Sequence, residues 1–475
     1  MTPTAAPSLA PGYRLGFASL EHEVADVALP LTGALPDWLA GTLIRNGPGR
    51  FTVGTERYRH WFDGLAMLHR FGIASGHVSY GNRFLRSPGF LDAERTGRIA
   101  HSEFATDPQP SFIERLGLRL RDEPSHNANV NVVPFRGQYL ALTETPAPVA
   151  FDGETLATLG VLAYEDGVAG QTTSAHTLYD GDRRATFNIV TEIGRKSHYK
   201  VVRIPDGTLA RTIIATIDVD EPAYLHAFAA TATAVVVAEF PLTVRPLDLL
   251  LRRKPFIENY TWHPERGTRF HVIHKDSGAL LGRYEADAFF AFHHINAYDD
   301  GEALVLDISA YDDASVIPSF RLSHVLGETN EPWANASFRR YRLVPGRSAA
   351  EVETITAEAT ELPSVSRALA GRPYRYAYGV ANQPGLPAIP TRIVKVDTRE
   401  RSVVPWSEPD AYAGEPLFVA RPGATDEDDG VLLTVVLDAA AGQSSLVVLD
   451  ARDLSVLARA RAPHPIPFGF HGIFR

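Results

Sequence analysis

The chain has 475 residues, 45% of them hydrophobic and 21% charged, with a net charge of −10 and no cysteine. That apolar share can build a large core, and the acidic balance argues against a nucleic-acid partner, since neutralising phosphates needs a basic surface. Lack of cysteine excludes disulfides, thiolate metal sites and a cysteine nucleophile.

Met1 to Pro7 carry neither a basic region nor an apolar run, so no secretory leader is expected. No window approaches the roughly 20 apolar residues that span a bilayer. The expectation is a cytoplasmic protein, with peripheral membrane attachment as the other option. From there the chain consists of short β-rich runs separated by Gly, Pro, Asp and Asn, as in a sandwich, barrel or propeller. The runs include Val130 to Pro134, Tyr139 to Thr143, Val235 to Phe240, Ala303 to Ser309, Ile393 to Asp397, Val431 to Asp438 and Leu446 to Asp450. Asp206-Gly207, Asp276-Ser277-Gly278, Asp299-Asp300-Gly301 and Asp429-Gly430 read as turns between them. The stretch Ala227 to Leu242 reads as buried strand. The glycines and prolines are spread evenly, leaving no obvious linker.

Two segments look amphipathic. Phe112, Ile113, Leu116 and Leu120 fall on one helical face, and Leu247 to Leu251, with Leu249 and Leu250 inside it, runs into Arg252-Arg253-Lys254. Each is either a core-facing helix or an interfacial one, apolar side chains beside basic ones suiting a membrane surface.

A lone histidine among the 17 is more often a hydrogen-bonded structural residue than a ligand. Four stand in distinctive segments: His176 in Thr173-Ser174-Ala175-His176, His226 in Tyr224-Leu225-His226-Ala227-Phe228, His293 in Phe292-His293-His294-Ile295-Asn296, and His471 in Gly469-Phe470-His471-Gly472. Fifty positions separate the first two and 67 the next two, each about one four-stranded propeller blade or slightly more, and 178 more reach the last. A propeller gathers its innermost strands around one axis, so distant histidines can meet; spacing alone does not choose the number of blades. Four imidazoles together would suit iron, copper, nickel or zinc rather than calcium or magnesium.

Other candidates are weaker. His126 sits in a metal-like run, Ser125 to Asn131. His271 and His274 have helical ligand spacing but lie in a strand-like run, which rules out the pair. His60, His198, His263 and His464 read as structural. The pairs Asp299-Asp300, Asp312-Asp313 and Asp428-Asp429 lack calcium-loop spacing and read as turns. No nucleotide-binding or hydrolase motif is present.

These words resemble the carotenoid cleavage oxygenase family over nearly the whole chain. Pro36-Asp37-Trp38-Leu39-Ala40-Gly41-Thr42-Leu43-Ile44-Arg45-Asn46-Gly47-Pro48-Gly49 is similar to the family's N-terminal signature, followed in family order by His60-Trp61-Phe62-Asp63-Gly64-Leu65-Ala66-Met67. Glu415-Pro416-Leu417-Phe418-Val419, Glu427-Asp428-Asp429-Gly430 and Phe470-His471-Gly472-Ile473-Phe474 are closer still. The ending and the Phe292 segment resemble the branch of animal carotene oxygenases and the retinal-pigment-epithelium isomerohydrolase.

The resemblance implies an all-β, seven-bladed propeller, one domain over 1–475, with a dome of longer loops and short helices above an axial metal site. It implies one Fe(2+) held by His176, His226, His293 and His471, with Glu144, Glu361 and Glu415 orienting the last three in an undecided pairing. The pattern Phe-His-x-x-Asn selects His293 over His294, whose side chain on a strand would point to the opposite face. The implied activity is cleavage of a carotenoid or apocarotenoid double bond by O2 to two carbonyl products. Alternatives are cleavage of a stilbene or phenylpropene, ester isomerohydrolysis, and a non-catalytic metal-stabilised propeller that binds lipid. The implied partner is a hydrophobic polyene or aryl-alkene, drawn from a membrane through Phe112, Ile113, Leu116, Leu249, Leu250 and Leu251.

Overall fold

Each β-rich run of the sequence becomes a strand within a few residues of its expected bounds: Tyr139 to Thr143 is the strand Gln138–Leu142, and Val431 to Asp438 is Gly430–Asp438. The computed structural model describes residues 11–108, 124–251, 254–329, 333–382 and 389–475. Seven sheets of four or more strands form the blades of a β-propeller. The first blade holds Val24–Ala28, Gly41–Arg50, Leu65–Ala74 and His77–Phe84. The others begin at their inner edges with Asn131–Phe135, Thr172–Thr173, Ala229–Ala230, His294–Asp300, Glu361–Ser364 and Leu417–Ala420. Ala227 to Leu242, read as buried strand, is a tight hairpin from Ala229–Ala230 to Ala234–Glu239, followed by the short strand Leu242–Thr243.

The ring closes twice. Near one end of the chain Leu31–Gly33 becomes the outer strand of the last blade by pairing with Val456–Arg461, and at the other Gly472–Phe474 becomes the inner strand of the first blade by pairing with Gly41–Arg50. Both closures sit over one apolar seam, in which Leu43, Phe71 and Tyr80 of the first blade pack on Leu433, Leu446 and Val448 of the last.

Alternation explains the packing. In Ala234–Glu239 every residue is buried, because both faces of a middle strand are covered by neighbouring blades. Val235 and Val237 join Phe187, Tyr199 and Val201 of the third blade, whereas Val236 and Ala238 join Leu306 and Ile308 of the fifth. Each fully buried aliphatic side chain contributes on the order of 1.5–3 kcal/mol. Outer strands such as Thr212–Val219 are largely exposed. At the turn Asp276-Ser277-Gly278, Gly278 has φ +69°, and a Cβ there would lie 1.8 Å from the carbonyl oxygen of Ile214, so only glycine fits.

The Asp pairs are turns or ion-pair partners, not calcium sites: Asp299 accepts from Thr231 and Thr233, Asp312 pairs with Arg339, and Asp428 with Lys395. His271 and His274 lie on the strand Thr268–His274, as read. Phe112, Ile113, Leu116 and Leu120 lie outside the described residues. Leu247, Leu250 and Leu251 lie on the short helix Pro246–Leu251, 69%, 74% and 50% exposed, so this helix is not core-facing. No helix among the described residues is long and apolar enough to cross a membrane.

Candidate metal centre

All four singled-out histidines sit where an inner strand begins or breaks. Thr172–Thr173 and Leu178–Asp180 pair with the same strand, Ala185–Glu192, and the residues between them bulge away carrying His176. Ser174 shapes that bulge: its hydroxyl donates to the His226 carbonyl at 2.7 Å and accepts from the His176 amide at 3.0 Å. His293 immediately precedes His294–Asp300, and His471 immediately precedes Gly472–Phe474. The backbone of His471 is pinned on both sides, its N–H donating to the Val130 carbonyl (3.2 Å) and its carbonyl accepting from the Asn46 N–H (2.9 Å).

The rings converge. His176, His293 and His471 bring ligand nitrogens within 4.8 Å of one another. Nε2 of His226 is 3.0 Å from Nε2 of His176, and Nε2 of His293 is 3.1 Å from Nε2 of His471. On the far side of three rings stands a carboxylate, which resolves the pairing. Nδ1 of His226 is 2.6 Å from Glu144, Nδ1 of His293 is 2.5 Å from Glu361, and Nδ1 of His471 is 2.7 Å from Glu415.

A carboxylate at Nδ1 fixes the proton there and leaves Nε2 with its lone pair pointing inward. In His293 and His471 two such lone pairs face each other across 3.1 Å, an arrangement that repels unless a cation lies among them. Burial favours the neutral form at two of the rings. It pulls His471 down to about 4 against the opposing pull of Glu415, and drops His176 well below the ordinary histidine value, helped by the four imidazoles of His471, His226, His293 and His294. Inward imidazole nitrogens, with the carboxylates held on the far side of the rings, fit a borderline divalent metal.

The carboxylates have partners of their own. The Tyr224 hydroxyl donates to Glu144 at 2.7 Å, and Arg45 forms a buried ion pair with Glu415. Burial alone would raise the Glu415 carboxyl, but Arg45 and His471 outweigh it and hold it below the ordinary value. Sequence reading passed over both partners. Tyr224 stands two positions before His226, the spacing of one strand face, and Arg45 interrupts the apolar run Leu43-Ile44; those were the available signals.

Beside the rings lies an open cavity walled by Trp61, Phe62, Phe292, Phe320, Leu362 and Phe470 and lined also by His226, His293 and His471. The aromatics interlock: Phe62 lies 5.6 Å from Phe292 and 5.3 Å from Phe470, centroid to centroid, and Phe292 lies 5.2 Å from His226. Loops and short helices build this roof, Phe62 from the turn Trp61–Asp63 and Phe320 from between Val316–Ser319 and Leu322–Val325.

The run Ser125 to Asn131, metal-like in sequence, is a splint. Asn127 donates to the Asp63 and Gly64 carbonyls and accepts from the Ala66 amide, while Asn129 donates to the Phe62 and Gly64 carbonyls. His126 contacts Thr145 rather than the ring cluster. His60 donates from Nε2 to the Ile317 carbonyl (2.8 Å) while its Nδ1 caps the turn at Phe62, a structural role.

Residues 17–475 match the family model described as retinal pigment epithelial membrane protein. Carotenoid isomerooxygenase of Galleria mellonella is 34% identical over 96% of this chain and 95% of its own length. Human beta,beta-carotene 15,15'-dioxygenase is 31% identical over 96% of this chain and 93% of its own. A solved variant of the Synechocystis apocarotenoid oxygenase superposes with a TM-score of 0.88 at 27% identity, covering 98% of this chain and 99% of that one, as does its cobalt-substituted form.

Proposed function

The chain belongs to the carotenoid cleavage oxygenase family that includes the retinal pigment epithelial protein, and on that premise we propose that it is an iron(II) dioxygenase splitting an alkene bond of a carotenoid or apocarotenoid. The supporting observation is the set of inward imidazole nitrogens, three with their other nitrogen held by glutamate, beside an aromatic cavity.

His176, His226, His293 and His471 are the proposed ligands, His226 completing the set with its Nε2 against that of His176. Ferrous iron bound there supplies activation of dioxygen toward an electron-rich double bond. Glu144, Glu361 and Glu415 hold the Nδ1 protons and so keep Nε2 directed at the metal. Phe62, Phe292, Phe320 and Phe470 exclude water and lay a polyene across the site. Because both oxygen atoms of O2 end in the two carbonyl products, the reaction needs no organic cofactor and no outside reductant. Leu247, Leu250 and Leu251, with Leu249 beside them, are the proposed point of contact with the membrane that holds the substrate.

Anaerobic loading with ferrous iron followed by aerobic incubation with carotenoids, apocarotenals and stilbenes tests this reading. The expected result is about one iron per chain and a pair of carbonyl products from a polyene. Cleavage of stilbenes alone, or tight zinc with no turnover in iron-loaded protein, would replace it.

A further inference from the structure

The three outer carboxylates differ in what stands behind them. Among the described residues Glu144 and Glu361 ion-pair only with their histidines, whereas Glu415 also meets a guanidinium that is 5% exposed. A buried ion pair of this kind is weak evidence of added stability, since desolvating both charges cancels much of their attraction. Its geometry is more telling. Arg45 stands opposite Gly472 in the pairing of Gly41–Arg50 with the closing strand. Its Nη1 contacts Oε2 of Glu415, and its Nη2 donates to the Phe470 carbonyl at 2.7 Å. The Gly472 N–H donates to the same Oε2 at 3.0 Å, while Oε1 holds Nδ1 of His471 at 2.7 Å. Residues 470, 471 and 472 are therefore all tied to one Arg45–Glu415 unit.

We propose that Arg45 is a positioning residue: acting through Glu415, it fixes the His471 ring toward the other imidazoles and couples closure of the propeller ring to assembly of the metal centre. This rests on the metal-centre reading above. The planar fork of arginine is required because it serves a carboxylate and a carbonyl at once; a lysine ammonium is a single point charge. Coupling is reciprocal, so metal binding must also tighten the docking of Gly472–Phe474.

The probe is cobalt(II), whose visible spectrum reports ligand geometry, together with its release to a chelator and hydrogen exchange of residues 472–474. Arg45→Met is expected to speed release about 10- to 100-fold and alter the spectrum, with Arg45→Lys recovering part of the loss. In the parent, cobalt should slow exchange at 472–474, and in Arg45→Met that protection should vanish. Because Arg45 acts mainly through Glu415, adding Arg45→Met to Glu415→Gln should speed release much less than Arg45→Met does in the parent, the remainder coming from the lost Phe470 carbonyl bond. Parent-like spectra and release in Arg45→Met, or effects that multiply in the double variant, would overturn the proposal. If Arg45→Met alone fails to fold, the double variant, neutral on both sides, decides by comparison with Glu415→Gln. A parent that takes up no cobalt would overturn the metal-centre reading itself, and this proposal with it.

Discussion

Nδ1 of His293 lies 2.5 Å from the Glu361 carboxylate, while the adjacent His294 has both ring nitrogens buried with no hydrogen-bond partner among the described residues. Neighbours on a strand face opposite ways, and here only one faces the other imidazoles. His293→Ala is expected to abolish iron retention and turnover, and His294→Ala to keep most of both. Iron content by atomic absorption checks this, and reversed effects would mean the inner strand of the fifth blade runs in a different register.

Glu361→Gln keeps a hydrogen-bond acceptor for Nδ1 but removes the charge that makes the imidazole a stronger donor. The fold should survive, and affinity for ferrous iron should fall roughly 10- to 100-fold in chelator competition. An unchanged affinity would leave Glu361 an ordinary structural carboxylate.

How far the sequence carries depends on range. The family pattern Phe-His-x-x-Asn selects His293 over His294, and the strands could be placed from β-rich runs between turn residues, because such runs depend on near neighbours. Which glutamate serves which histidine could not be read: Glu144 reaches His226 across 82 residues, a pairing set by blade order around the ring. Arg45 stayed hidden for the same reason, its role being defined by Glu415 and Phe470 at the other end of the chain. Ser125 to Asn131 only looks metal-like, because asparagines that satisfy buried backbone and residues that bind ions use the same polar atoms.

Leu247 and Leu250 touch no core, so Leu247→Asp with Leu250→Asp should change stability by less than about 0.5 kcal/mol. The pair should nonetheless reduce co-sedimentation with phospholipid vesicles, leaving cleavage of a detergent-dispersed substrate unaffected. Equal sedimentation of parent and variant would remove this helix from the proposed membrane contact.

Asn127→Ala removes a side chain that is 4% exposed and satisfies the Asp63 and Gly64 carbonyls and the Ala66 amide. Asn129 still serves the Gly64 carbonyl, so the Asp63 carbonyl and Ala66 amide lose this partner, and leaving such groups buried and unpaired costs about 1–3 kcal/mol each before relaxation. The expected result is a lowered denaturant midpoint with metal affinity retained. Loss of metal at unchanged stability would place Asn127 in the centre rather than beneath the cavity wall.

The metal-free protein should lose stability as pH falls from neutrality. Burial draws His60 and His471 down to about 4, and His69 and His294 to about 3, against an ordinary value of 6.5. Between 6.5 and those values the unfolded chain takes up protons that the folded chain refuses, so acid favours unfolding, by up to about 1.4 kcal/mol per pH unit for each histidine. Asp63 opposes this: burial raises it to about 7, so the folded chain holds a proton there that the unfolded chain has released above 3.8. Its contribution is present in acid and is lost as pH rises toward 7. Glu103 and Asp307, raised by burial, act as Asp63 does, while His126, His176 and His464 are lowered and add to the loss. Seven lowered histidines outweigh three raised carboxyls, so the net effect of acid below pH 6.5 is destabilising. Urea midpoints at pH 7 and pH 5 measure it. Asp63→Asn should make the acid loss steeper, since it removes the opposing proton while keeping the shape of the site; an unchanged or shallower slope would mean that Asp63 is ionised in the folded protein.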